Sequence, residues 1–334
     1  MQNRYGLPLL LILGSACAFP AQQIWFQLAT GNSSPAAREA HSMAYDAAHN
    51  QTVLFGGVNL FTTGFFNDTW IWDGNAWSQQ TPVNSPAPRE QAGMAYDAAR
   101  GQTVLFGGQS FSGAYSDTWV WDGGNWTQKT PAHNPGPRFV FAMTYDQAHG
   151  QVVLFGGEQA NGPVLGDTWV WDGTDWTQKT PANSPSPRYG SVMAYDAATG
   201  QVILFGGADA PSGESNDTWV WDGANWTQLT PGKSPSARFY STMAFDIGAG
   251  KLVLFGGAAF PGPSRYQPYH TLNDTWTWSG GTWQQSFSSS PPLSRALSAM
   301  AYDGGNQGLL LFGGQNQAPH DVTTDLGDTW EWGR

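Results

Sequence analysis

Few residues in this 334-residue chain are equipped for chemistry. Glu39 and His41 stand two apart, and Glu90 follows Arg89 as Glu39 follows Arg38. His270 lies in the irregular stretch 258–273, and His320 and Asp321 lie in 315–327. Glu39, His41 and Glu90 could move protons as general acid and base. His41, His270, His320 and Asp321 could instead hold a metal. Their spacing is not of the close His-x-His kind, so solvated loop residues plus one packed His41 is the favoured reading. No catalytic residue is assigned, and no cofactor or metal is expected. Six arginines, Arg38, Arg89, Arg138, Arg188, Arg238 and Arg295, could gather an anion. Aromatic residues beside them, Phe139, Tyr189, Phe239, Tyr240, Tyr266 and Tyr269, could stack on a sugar or a peptide.

These residues are carried by a sixfold repeat. Met-x-[Tyr/Phe]-Asp begins at Met43, Met94, Met143, Met193, Met243 and Met300. Leu-Phe-Gly-Gly has its first Gly at 56, 107, 156, 206, 256 and 313. Asp-Thr-Trp-x-Trp begins at Asp68, Asp117, Asp167, Asp217, Asp274 and Asp328, and each Arg stands five residues before its Met. A period of about 50 residues matches blade-type repeats. Each unit reads as four strands, represented in unit four by Tyr189–Asp196, Gln201–Phe205, Asp217–Asp222 and Trp226–Thr230. Apolar runs and alternation give the strands, and Gly-rich and Asp-Gly tracts give the turns. The last unit ends after its third strand, and Ile24–Leu28 resembles the missing fourth, so the N-terminal strand is expected to close a ring.

Pro187-Arg188-Tyr189-Gly190, Leu204-Phe205-Gly206-Gly207 and Asn216-Asp217-Thr218-Trp219 resemble the kelch motif, and the resemblance spans nearly all of 22–334. It implies an all-β, six-bladed propeller with four antiparallel strands per blade. The repeats run near 38–81, 89–130, 138–180, 188–230, 238–287 and 295–334 with 22–30, in a domain of residues 19–334. The family includes the galactose oxidase central domain, bacterial sialic-acid mutarotases, plant specifier proteins and protein-binding adaptors. The fold alone therefore selects no activity. Galactose oxidase chemistry is unexpected, because that family needs a Cys linked to a Tyr beside copper and the only Cys here is Cys17.

Cys17 belongs to a leader-like start. Gly6 to Ala18 is apolar, ends in Ala16-Cys17-Ala18, and predicts a signal peptide over 1–18 cleaved near Ala18. Export to a secreted, periplasmic or cell-surface location follows, with a lipid anchor at Cys17 as the lesser alternative. No other stretch is long and apolar enough to span a membrane as a helix. Net charge is −11 and charged residues make up only 12%, which argues against nucleic acid as partner. The 18 Trp fall into three repeated registers and read as packing between blades. Asp175 and Glu331, beside strand Trp residues, read as surface positions.

The interval between Gly-Gly and Asp-Thr-Trp is the variable one, with 10, 8, 9, 9, 16 and 13 residues in units one to six. In a four-stranded meander this interval shares an end with the six arginines, so that end is the expected binding face. The Arg set has two readings, cations at the mouth or ties from blade to blade, and its identical use in every unit favours ties. A monomeric binding module for a glycan or a protein segment is the expected function. A sugar-modifying enzyme similar to the mutarotases and a purely structural envelope or extracellular domain are the alternatives.

Overall fold

The computed structural model describes residues 23–30, 33–59, 61, 64–209, 213–260, 269–317 and 323–333. Residues 1–22, with the leader and Cys17, lie outside the described residues, as do Tyr266, His320 and Asp321. Six four-stranded antiparallel sheets follow one another along the chain. Blade one comprises Ser42–Asp46, Gln51–Phe55, Thr69–Trp72 and Trp77–Gln80, from the axis outward. The same order recurs in every blade, and the innermost strands contact one another around a closed circle. Blade six takes Ile24–Gln27 as its outermost strand, in the register Trp25↔Trp332 and Gln27↔Trp330. The expected closure is thus present.

Local chemistry explains the repetition. The second strands, such as Gln51–Phe55, are almost wholly buried because sheets cover both their faces. Asp46 ends an innermost strand by accepting from the Ala48 and His49 amides at 3.1 and 3.3 Å, and Asp73 closes an outer turn through Asn75 and Ala76. The Gly pair is required by crowding. A Cβ on Gly56 would lie 2.6 Å from the Arg89 carbonyl oxygen, and one on Gly57 would lie 2.7 Å from that of Glu39. Both have positive φ, 67° and 95°, a region costly to other residues.

The Trp registers do separate work. The outer-strand Trp of each blade is buried and donates its indole N–H to the Thr of Asp-Thr-Trp in the preceding blade. The six bonds are Trp77 to Thr329, Trp126 to Thr69, Trp176 to Thr118, Trp226 to Thr168, Trp283 to Thr218 and Trp25 to Thr275, all 2.9–3.1 Å. They form a closed circuit. Each indole also buries roughly 200 Å², worth on the order of 5 kcal/mol of transfer free energy before entropy is counted. The expectation that Trp packs between blades therefore holds.

Strand limits agree closely with the repeat pattern, with two differences. The innermost strand of blade four begins at Val192, and Tyr189 makes only an isolated bridge to Ala208. The variable intervals also contain structure. In five blades they carry a short two-stranded ribbon, such as Val58–Asn59 with Gly64–Phe65, while in blade three the main strands extend to Glu158 and from Val164.

Glu331 corrects the surface expectation. It is buried at 5% exposure in the third strand of blade six. Gly308 makes room for it, since a Cβ there would come within 2.9 Å of its Oε1. Asp175 keeps partial exposure and binds His133 at 2.7 Å.

Candidate functional site

The variable-loop end is organised by a ring of six residues, one per blade. Ala40, Gln91, Val140, Gly190, Tyr240 and Leu297 all have φ between 50° and 64°. Each amide donates to the carbonyl of the ring residue in the preceding blade, from Gln91 to Ala40 at 2.8 Å round to Ala40 to Leu297 at 2.8 Å. The circuit closes on itself. Below it lies an axial cavity of about 200 Å³ lined by these six and by residues that include His41, Phe141, Ser191 and Ser241. The six repeated Met residues line both this cavity and a wider one of about 430 Å³ toward the opposite end, ringed by Tyr45, Tyr96, Tyr145, Tyr195, Phe245 and Tyr302.

The arginines sit just outside this ring, and the structure corrects their expected role. All six are 0–4% exposed. Arg38 clamps Asp68 with two bonds, 2.6 and 2.9 Å, and donates to the Gly56 carbonyl at 2.9 Å. The same Arg–Asp and Arg–Gly contacts recur in every blade. Both partners belong to the blade of the Arg, so the side chain ties strands within one blade. The tie between blades comes from the Arg backbone instead, as in Gly57 N–H to Arg89 C=O at 2.8 Å and Arg89 N–H to Phe66 C=O at 3.1 Å. Phe66 and Tyr115 cover two guanidiniums from above, 3.9 and 4.1 Å from ring centre to Cζ of Arg38 and Arg89. None of these cations is presented to a ligand, because each is enclosed and its two terminal nitrogens are paired with carboxylate and carbonyl oxygen, although the Arg138 Nε is left without a partner.

The residue after each Arg bridges the residue after Gly-Gly, which sets six pairs around the mouth: Glu39 with Val58, Glu90 with Gln109, Phe139 with Glu158, Tyr189 with Ala208, Phe239 with Ala258 and Ala296 with Gln315. The composition of these pairs divides the mouth. Blades one to three contribute Glu39, Glu90 and Glu158. Blade six adds Asp325, whose strand pairs with Gln315. Blades four and five contribute a cluster of Tyr189, Phe239, Tyr240, Phe260 and Tyr269. Phe139 stands half-buried between the two sectors.

The acidic sector is electrostatically incomplete. Arg38 N–H donates to Leu326 C=O at 3.0 Å, so Asp325 and Glu39 run side by side where blade six meets blade one. Glu39 is 6% exposed, and its Oε2 has no hydrogen-bond partner; both Asp325 carboxylate oxygens are likewise buried and unpartnered. Burial, with the Asp325 and Glu90 charges adding, pushes the Glu39 carboxyl up to about 8. Burial pushes Asp325 up to about 6 and raises Glu90 and Glu158. Glu90 is partly relieved by Gln109, which donates to it at 3.1 Å.

The aromatic sector reaches toward these acids. Tyr240 packs over Gly190, whose missing side chain leaves room for the ring: a Cβ there would lie 2.8 Å from it. Burial raises the Tyr240 hydroxyl well above its ordinary value, with Tyr189, Glu158, Tyr269 and Glu90 adding. Tyr269 donates to Gln315 Oε1 and is pushed up to about 12 by burial, with Glu39 adding. Farther out, Phe61 and Phe111 are exposed, and Phe65 meets Phe111 edge-on at 4.6 Å.

The expected proton-transfer residues Glu39, His41 and Glu90 thus gather near one mouth. His41 is buried against Phe312, and burial, helped by the Arg38 charge, pushes its imidazole down to about 3. His270 lies half-buried on a ribbon, paired with Ala259. Among the described residues no three His, Cys, Asp or Glu side chains assemble as a metal set. Among them, too, no helix is long and apolar enough to cross a membrane. Sequence reasoning missed Asp325 and Glu158 as mouth residues. The usable signal was positional, since Glu158 directly follows Gly-Gly as Val58 and Gln109 do.

A family model described as the KLHDC2/KLHL20/DRC7 Kelch-repeats domain matches residues 16–175 and 143–333. No curated protein matches the sequence. A solved structure described as that of YjhT superposes with a TM-score of 0.69, covering 90% of this chain and 96% of its own, at 16% identity. That likeness is one of fold.

Proposed function

The chain belongs to the kelch-repeat β-propeller family, and on that premise we propose that it is an exported, monomeric binding module whose variable-loop mouth takes a glycan or a protein segment. One observation carries this reading: the mouth combines residues the repeat does not require with buried carboxylate oxygens that have no partner. Unpaired buried acceptors are costly, and native proteins keep few of them. The leader pattern at Met1–Ala18 supports export. The test is a screen of the purified protein against immobilised glycans and cell-surface proteins. Saturable binding that weakens on Tyr189→Ala or Glu90→Gln, and persists on Tyr145→Ala at the opposite end, supports the mouth. Absence of saturable binding across both panels leaves the structural alternative.

The raised Glu39 and Asp325 carboxyls favour a second reading, because groups titrating near neutrality can exchange protons with a bound sugar. A mutarotase-like enzyme acting on an acidic sugar would also need a cation for the sugar carboxylate. The six repeat arginines are already paired within their blades. Proton NMR of anomer equilibration tests it: acceleration by the wild type and loss in Glu39→Gln would favour the enzyme over the module.

A further inference from the structure

Resting on the binding-module reading, we propose that the mouth selects a ligand bearing a protonated primary amine, held between Glu39 and Asp325 with its carbon skeleton against the Tyr189–Tyr240–Tyr269 wall. Three observations lead there. The first is charge placement. Four carboxylates on blades six, one, two and three share the mouth, while the six Arg side chains are enclosed beneath it. A cation at this position stabilises the ionised form of Glu39, which burial and the neighbouring acids disfavour in the free protein.

The second is the set of orphaned acceptors. Glu39 Oε2 and both Asp325 oxygens are buried without donors, and they lie on chain segments joined by the Arg38–Leu326 bond. Three acceptors match the three N–H donors of an ammonium group. A quaternary ammonium offers none and leaves the same oxygens unpaired. Glu39 is 6% exposed and sits at the mouth end of blade one, where its backbone bridges Val58.

The third is the shape of the acidic sector. The carboxylates are spread over four blades and do not assemble as a metal set among the described residues. An organic ligand with several amines spans such a spacing better than a single ion. The adjoining aromatic wall suits the apolar face of a sugar ring or an alkyl chain. An amino sugar and a linear polyamine share this chemistry, and they differ in whether a ring face is present.

Isothermal titration calorimetry of the full-length mature protein decides it, with glucosamine trimer, spermidine, N-acetylglucosamine trimer, choline and N-acetylneuraminic acid as probes. We expect saturable binding of the glucosamine trimer or spermidine and at least tenfold weaker binding in Glu39→Gln and in Asp325→Asn. Tighter binding of the trimer identifies the sugar source, and tighter binding of spermidine the polyamine. Circular dichroism and thermal melting of each variant show that the propeller is folded, and Asp325→Asn serves if Glu39→Gln is not. Equal binding of the acetylated trimer or of choline overturns the inference, as does amine binding that both variants retain. Binding of a neutral or acidic glycan with no amine binding overturns it and leaves the binding module standing. No binding by any probe, combined with an empty glycan and protein screen, overturns both.

Discussion

The Trp25 indole N–H donates to the Thr275 hydroxyl at 2.9 Å across a sequence separation of 250 residues. This bond joins the N-terminal strand to blade five while that strand completes blade six. It is one of six equivalent bonds, so the closure uses the same chemistry as every other blade junction. Thr275→Val keeps the shape and leaves a buried N–H unpaired, which should cost about 1–3 kcal/mol. Trp25→Ala also removes a large buried side chain and should cost about 3–5 kcal/mol. Urea unfolding measures both. Wild-type stability in Trp25→Ala would show that the N-terminal strand does not hold the ring.

The Arg–Asp pairs should make the propeller acid-sensitive. Burial alone would raise the carboxyls of Asp117, Asp167, Asp217, Asp274 and Asp328. The hydrogen bonds and charge of their Arg partners outweigh it and hold all five below the ordinary value of 3.8. On acidification the unfolded chain takes up protons first, so the stability these pairs supply is present above about pH 4. It is lost as pH falls through 3.8 toward the depressed folded-state values. Thermal melts from pH 6 to pH 2 should fall steeply only at the acidic end. At neutral pH, Asp217→Asn strands the buried Arg188 charge and should cost about 3–5 kcal/mol. A loss below about 1 kcal/mol would mean that the pair is not enclosed as described.

Gly190 and Tyr240 should behave as a coupled pair. Gly190 has φ +64°, and a Cβ there would meet the Tyr240 ring at 2.8 Å. Gly190→Ala therefore combines backbone strain with displacement of the ring, and we expect a loss of about 1–3 kcal/mol with a changed near-ultraviolet circular dichroism signal. In a Tyr240→Ala background the ring is absent, and what remains is the backbone cost with the Phe239 Cβ 3.3 Å from the added methyl. A double-mutant cycle should then return coupling of about 1 kcal/mol or more. Additive losses would place Tyr240 away from Gly190.

The scaffold was legible in the sequence because each of its contacts is written six times. The spacing from Trp70 to Trp77 marks a third strand and its outer neighbour, and Ile24–Leu28 is recognisable as the strand missing from unit six. The partner of each Arg was not legible. Asp68 stands 30 residues beyond Arg38, and only the folding back of the second and third strands brings them together. The mouth was harder still. Glu39 and Glu90 could be singled out by position, but Asp325 joins them only because Leu326 pairs with Arg38 across the ring closure. The aromatic set divided in a way that spacing does not encode, with Phe239 buried, Phe111 exposed and Tyr115 covering Arg89.

Glu331 offers a stabilising substitution. It occupies the position filled by Val120, Val170 and Val220 in blades two to four, and it is buried. Burial, with the Asp303 charge adding, pushes its carboxyl up to about 7 from an ordinary 4.5. The folded protein therefore holds this proton to higher pH than the unfolded chain does. Its stability contribution is intact below about pH 4.5 and is lost as pH rises through 7. Glu331→Val removes that loss and restores an apolar strand position beside Leu310. Gly308 leaves some space unfilled, so the gain should be small near pH 5. It should grow to about 3 kcal/mol at pH 8, because each unit of the rise from 4.5 to about 7 represents roughly 1.4 kcal/mol. Chemical unfolding of both proteins at pH 5 and pH 8 measures the difference. A gain independent of pH would assign the effect to packing alone, and destabilisation at pH 8 would mean that the Glu331 carboxylate has a partner worth more than its burial costs.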